Sequence, residues 1–148
     1  MKECRLADSA GLRSPTAMSF LQYDPPLAED NGVLQTVRLV EEGEAIAVAR
    51  WYAPPDEGDG VVQLIDFRVE PAHGRRGHGR RLLAAVVEQC LIYHRLRRQT
   101  FRRMWMPLHQ KRQVIARAFF LSQGFTHVST LKEIAGDGDL LIYVRTFD

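Results

Sequence analysis

Hydrophobic and polar positions alternate along much of this chain, in short runs separated by turn-forming residues. Alternating or β-branched stretches at residues 17–23, 33–40, 45–53, 61–69, 102–107, 126–133 and 140–146 predict seven strands, because side chains two apart share one face of a sheet. Two segments break that period. Residues 79–96 carry Leu82, Leu83, Val86, Val87, Cys90 and Leu91 at helical spacing, and residues 110–123 do the same with Val114, Ile115, Ala118 and Phe119. Each predicts a helix with one buried face. Gly124 is placed to end the second, since glycine takes the left-handed conformation at little steric cost.

Turn chemistry fills the gaps. Glu41-Glu42-Gly43 predicts a tight hairpin, and the Pro/Gly/Asp clusters at 24–32 and 54–60 predict longer connections. The resulting order is four strands, a helix, a strand, a helix and two strands. It predicts an α+β fold: a mixed, mostly antiparallel sheet of six to seven strands, with an early antiparallel meander, a central βαβ crossover and helices on its faces. With no internal repeat and no long linker, a single domain over residues 1–148 is expected.

Composition narrows the function classes. Hydrophobic content of 45% with 26% charge is that of a globular protein, and no apolar run nears the roughly 20 residues that span a bilayer. Met1-Lys2-Glu3-Cys4-Arg5 carries charge where a secretory signal needs apolar residues, so a cytoplasmic location and no membrane partner are expected. Cys4 and Cys90 form no disulfide framework, so reduced thiols are expected. Cys90 and His94 stand one helical turn apart, but without a third and fourth ligand at recognisable spacing no metal is expected. The aromatic residues Phe119, Phe120, Phe125 and Trp105 read as core.

Charge is uneven. Net charge is only +2, yet residues 68–117 hold twelve Arg and one Lys against Glu70 and Glu88. Such a stretch suits a polyanion, and both coenzyme A and nucleic acid qualify, whereas the plain reading is a solvated face.

The most informative stretch is a strand ending in Phe67-Arg68-Val69-Glu70-Pro71, followed by Ala72-His73-Gly74-Arg75-Arg76-Gly77-His78-Gly79-Arg80-Arg81 at the start of a helix. Glycines let backbone approach a ligand, first-turn N–H groups lack internal partners, and the helix dipole places positive charge there. A pyrophosphate fits such a join. Arg75, Arg76, Arg80 and Arg81 are positioned either to bond phosphates or to extend into water. The GxxxxGK[ST] and GxGxxG spacings of nucleotide-binding loops are absent.

These residues resemble the GNAT N-acetyltransferase superfamily, in which V-x-P is followed by Q/R-x-x-G-x-G/A. Val69-Glu70-Pro71 and Gly77-His78-Gly79 match, while Gly74 stands at the Q/R position with Arg75 beside it. A second block, running from Gln113 through Ala116 and Phe120 to Gly124-Phe125, is similar to the family's N-x-x-A-x-x-x-Y-x-x-x-G-F. The resemblance covers about residues 61–146. It implies acetyl-CoA as cosubstrate and an amine acceptor, small molecule or protein. It also implies a coenzyme A site of Phe67, Arg68, Val69, Gly74, Arg75, Arg76, Gly77, His78, Gly79, Arg80, Gln113 and Phe120. Nucleic acid is not the expected partner; a homodimer is the assembly suggested, since relatives are often dimers. The family's early pair of helices, which helps wall the acceptor site, has no counterpart between Tyr23 and Val33, so an open acceptor side is expected.

Acetyl transfer to an amine needs a base, a donor to the departing thiolate and an N–H that polarises the thioester carbonyl. The resemblance assigns the last to Val69. The usual tyrosine donor is replaced by Phe120, which has no proton to give. Asp66 and then Glu70 are the candidate bases, and Tyr143 or Ser122 the candidate donors. His73 and His78 fall in the phosphate turn, where a loop role is expected. Two other readings remain: an Arg-rich nucleic-acid-binding module, centred on Arg95, Arg97, Arg98, Arg102 and Arg103, and a coenzyme A-binding relative without turnover.

Overall fold

The computed structural model describes residues 18–55, 59–71, 77–133 and 136–147. Its elements follow the order β1 (Ser19–Tyr23), β2 (Leu27–Glu29), β3 (Gly32–Glu41), β4 (Glu44–Ala53), β5 (Val61–Val69), α1 (His78–Leu96), β6 (Arg103–His109), α2 (Val114–Ser122), β7 (Thr126–Leu131) and β8 (Leu140–Thr146). All strands join one sheet in the order β1-β3-β4-β5-β6-β8-β7, with β2 paired to β3 beyond the end of β1. Only β5 and β6 pair in parallel, across the α1 crossover; the other pairs are antiparallel.

The eighth strand is β2, which the sequence reading placed within a Pro/Gly/Asp connection. Asp30 (φ 49) and Asn31 (φ 68) form a two-residue turn in the left-handed region, so the chain doubles back on β3. Aspartate and asparagine tolerate that conformation better than other non-glycine residues. Glu42 (φ 53) and Gly43 (φ 81) make the same kind of turn between β3 and β4, as their sequence predicted.

Trp51 of β4 donates its indole N–H to Gln89 of α1 at 2.9 Å, which fixes α1 on the Ala47, Ala49, Trp51 and Ala53 face of that strand. Phe67 lies opposite Ala49 on this face and stacks with Phe119 of α2 at 5.6 Å. Both described helices therefore pack on one face of the sheet. The core lies between, with Trp51, Phe120, Phe125, Leu39, Leu82, Leu83, Met104 and Val86 fully buried in one cluster. Among the described residues the other face carries no helix, and Arg38, Arg50, Asp66, Arg68 and Trp105 remain partly or largely exposed there.

The second helix departs from its expectation in two ways. Residues 110–113 form a turn instead of the first helical turn, because the Lys111 and Arg112 N–H groups donate to His109 Nδ1 at 3.1 Å each. Val114 and Ile115 are exposed, at 53% and 87%, and Ala118 is exposed with them. Phe120, packed on Phe67 and Phe125, decides which side of α2 faces inward; an aromatic ring buries more apolar area than a valine or isoleucine side chain. Trp105 is likewise half-buried on the uncovered face and not in the core. Leu91 of α1 is also largely exposed.

Gly60 precedes β5 with φ 67, and a Cβ there would meet the Thr100 carbonyl oxygen at 2.0 Å. Its carbonyl accepts the N–H groups of Arg102 and Arg103 at 2.8 and 3.1 Å, aligning the starts of β5 and β6. Gly60→Ala is expected to destabilise the protein by at least about 2 kcal/mol, through strain and clash together. Urea unfolding checks this, and a loss below about 0.5 kcal/mol contradicts it.

Candidate active site at the splayed strands

β5 and β6 are paired only near their first residues. The ladder joins Val61, Val62 and Gln63 to Arg103, Met104 and Trp105 and stops, although β5 runs on to Val69 and β6 to His109. Register against β4 supplies the cause. Trp51 pairs with Leu64 and Arg50 with Asp66, so Ile65 is an extra residue in β5. A bulge bends its strand and increases local twist. The upper half of β5 turns away from β6, and a wedge opens between them.

Backbone groups line this wedge. The Glu70 N–H donates to the Ile46 carbonyl of β4 at 2.8 Å. Successive N–H groups point to opposite edges of a strand, so those of Val69 and Phe67 point into the wedge. On the helix side, Phe67 meets Phe119 and Phe120 at 5.6 and 5.1 Å, and a Cβ on Gly79 would lie 3.2 Å from the Phe119 ring. Glycine at 79 thus lets α1 and α2 close over the wedge. Among the described residues, no helix covers the wedge from the other face.

The first residue of the helix end is Gly77, with φ 78. No side chain caps α1 and its first turn contains no acid, and a Cβ at Gly77 would meet nothing within 4 Å. Such a helix N-terminus presents the positive end of its dipole. Gly74, Arg75 and Arg76, with His73, lie outside the described residues. His78 and Arg80 open the helix, Arg80 exposed. Arg81 is not available to a ligand: its guanidinium donates to the Ser19 hydroxyl and, at 3.1 Å, to the Ser19 carbonyl.

The acid and base candidates separate by position. Asp66 lies on the uncovered face, where Arg68 bonds both its oxygens at 3.1 and 3.2 Å and Arg50 stands at 3.8 Å. Both its oxygens are thus engaged by guanidinium groups. Glu70 is exposed, directly after Val69, with no ion pair among the described residues. Tyr143 is buried at 4% exposure opposite Met106 and against His127. Counting along β6, that level is about 13 Å below Val69. Tyr143 is therefore not brought to the wedge tip. Phe120 is buried among Phe67, Phe119 and Phe125, and Ser122 donates back to the Phe119 carbonyl on α2. Gln113 accepts the His109 N–H at 2.6 Å, tying α2 to the end of β6.

One pair was not legible beforehand. His109 is 3% exposed at the tip of β6, at the level of Arg68 across the wedge. Because Nδ1 accepts two backbone N–H groups, Nε2 carries the hydrogen and donates to Asp137 at 2.9 Å. Gln110 N–H also donates to the Asp139 carbonyl at 2.9 Å. Together these bonds dock the β7–β8 connection on the β6–α2 turn. No local motif joins positions 28 apart.

Among the described residues no cluster of three metal-ligating side chains occurs. Cys90 is buried, which pushes its thiol up, and His94 Nδ1 donates to the Cys90 carbonyl at 2.7 Å. No described helix is long and apolar enough to cross a membrane.

Residues 7–125 match the acetyltransferase (GNAT) family model. A GNAT-family protein from Desulfovibrio desulfuricans is 26% identical, with a TM-score of 0.64 over 76% of this chain and 69% of that one. The ribosomal-protein-S18-alanine N-acetyltransferase of Escherichia coli shares the fold at 20% identity, with a TM-score of 0.61 over 76% and 68%. The PaiA N-acetyltransferase of Thermoplasma acidophilum, in complex with coenzyme A, does so at 11% identity, with a TM-score of 0.62 over 77% and 61%. No curated protein matches the chain in sequence.

Burial opposes the charge of Asp137, but its backbone hydrogen bond, the His109 bond and Arg112 outweigh it, so the carboxyl sits below its usual 3.8. A depressed folded-state value contributes stability above 3.8 that is lost as pH falls through it. Asp137→Asn is expected to flatten the pH dependence of thermal stability between about pH 4.5 and 2.5 relative to the parent. Equal slopes in the two proteins contradict the docked carboxylate.

Proposed function

Because the chain belongs to the GNAT acetyltransferase family and is an N-acetyltransferase, we propose that it moves an acetyl group from acetyl-CoA to a primary amine at the wedge between β5 and β6. The observation that carries this reading is the free backbone edge of β5, which leads directly to an uncapped helix N-terminus. A thioester on a long polar arm ending in pyrophosphate matches that order of groups. Phe67 to Val69 would pair with the arm, and Gly74, Arg75, Arg76, Gly77, His78, Gly79 and Arg80 would hold the phosphates. Gln113 and Phe120 support the opposite wall.

Acetyl-CoA supplies an activated acetyl thioester. The Val69 N–H, directed into the wedge, is placed to polarise its carbonyl. The acceptor enters from the uncovered face. An amine arrives protonated and must lose a proton before its nitrogen attacks the carbonyl carbon. Glu70 is the base we assign, because Asp66 is committed to two arginines. As the carbon–sulfur bond breaks, sulfur leaves as a thiolate. With phenylalanine at 120, water is the proton source for it, and Tyr143 serves packing.

A ligand that prefers the native state raises its stability, by about 2.7 kcal/mol at a hundredfold excess over Kd. Acetyl-CoA and coenzyme A are expected to raise the melting temperature by several degrees. Gly77→Val should abolish that rise, since a branched side chain would fill the approach to the helix end. No rise at millimolar acetyl-CoA, or an unchanged rise in the variant, removes the donor site from this wedge.

Glu70→Gln is expected to lower kcat by about 10²-fold while leaving the coenzyme A thermal shift intact. An unchanged kcat would return the base to solvent or to Asp66.

A further inference from the structure

The wedge leaves a second charged region unexplained. At the far end of α1, Arg95, Arg97 and Arg98 leave the helix, and Arg102 and Arg103 begin β6; all five are exposed. Arg145 of β8 stands at the same end of the sheet but opposite Met104, on the helix-covered face, while Arg103 beside Thr146 lies on the other; the Phe147 N–H donates to the Arg102 carbonyl at 2.7 Å and holds the two strand ends together. Among the described residues, no carboxylate pairs with any of these six arginines. The helix dipole accounts for Arg95 and Arg97 in or beside the last turn. It does not account for arginines on two neighbouring strands, whose mutual repulsion opposes folding.

We propose that this arginine-rich end, opposite the catalytic wedge, is a docking surface for single-stranded nucleic acid. Charge complementarity calls for a polyanion, and side-chain chemistry favours one with bases. Arg97 lies over the Tyr93 ring at 3.6 Å and Arg145 over Phe147 at 4.6 Å, so two guanidinium groups are already held over aromatic rings. Planar cations presented in this way stack on nucleobases, while the other arginines reach phosphates in bidentate fashion. Beside Arg97 lies a recess of about 270 Å³, where Asn31 and Gln99 offer amide groups next to Tyr93. Asp59 also lines it, without pairing to an arginine. An anionic membrane or an acidic protein would use the charge but not the guanidinium planes.

The test uses the full chain and a fluorescent RNA oligonucleotide of about 12 nucleotides, read by anisotropy between about 50 and 200 mM salt. Binding is expected, with log K falling on log salt at a slope near −3, as for about four neutralised phosphates on a single strand. Arg98→Glu/Arg102→Glu/Arg103→Glu should weaken it by about 30-fold or more, with a melting temperature no lower than the parent's and the acetyl-CoA shift unchanged. If the triple variant does not fold, Arg95→Glu and Arg103→Glu singly should each weaken binding by a few-fold. Arg97→Lys, which keeps charge and loses the plane, should also weaken binding. No binding at 50 mM salt, or variants that bind like the parent, overturns the proposal. So does equal competition by polyglutamate or by phosphatidylserine vesicles at matched charge.

Discussion

The single extra residue at Ile65 governs how the rest of the molecule is used. Without it, β5 and β6 would complete a parallel ladder, and the backbone groups of Leu64 to Val69 on that edge would be spent on β6. With it, the pairing ends at Gln63 and Trp105, and polar backbone is left facing an opening. Unpaired backbone groups carry a free-energy cost when buried, so the opening must stay wet or hold a ligand with matching groups. The acetyltransferase reading meets that requirement with an extended arm that can take the place of a strand.

Packing then closes one side of the opening and leaves the other without a described helix. Phe67, Phe119, Phe120 and Phe125 form a connected aromatic cluster that seats α2 against β5 and the start of α1. Gly79 allows this closure by omitting a side chain. Phenylalanine at 120 contributes to the cluster a ring with no hydroxyl, so the position secures the wall of the wedge and not a proton. The opposite face has no described helix. Charged pairs there, Arg38 with Asp24 and Arg68 with Asp66, keep a bare sheet face compatible with water.

Around the tip of β6, a buried histidine does the work that a helical turn was expected to do. His109 Nδ1 accepts two N–H groups that would otherwise begin α2, and its Nε2–H donates to Asp137 on the β7–β8 connection. Two segments distant in sequence, the β6–α2 turn and the β7–β8 connection, thus meet on one imidazole. At the other end of α1 the arginines gather without counterions. The two ends of this helix thus present different chemistry: a glycine and the positive end of the dipole above, guanidinium groups below.

The amino-acid sequence by itself determined seven of the eight strands, both helices, the crossover and the glycine turn leading into α1, because two-residue and 3.6-residue periods and left-handed turns are local properties. It also marked Phe67 to Val69 as the strand leading into that turn. Tertiary structure alone decided the rest. The inward face of α2 depended on aromatic partners from β5, so Val114 and Ile115 were misplaced. The β2 hairpin depended on an edge of β3 being available to it. Asp66 was paired with arginines that alternation had placed on the same face from β4 and β5. Pairing of His109 with Asp137 arose from sheet order, which sets β8 between β6 and β7 and brings together groups no local pattern connects.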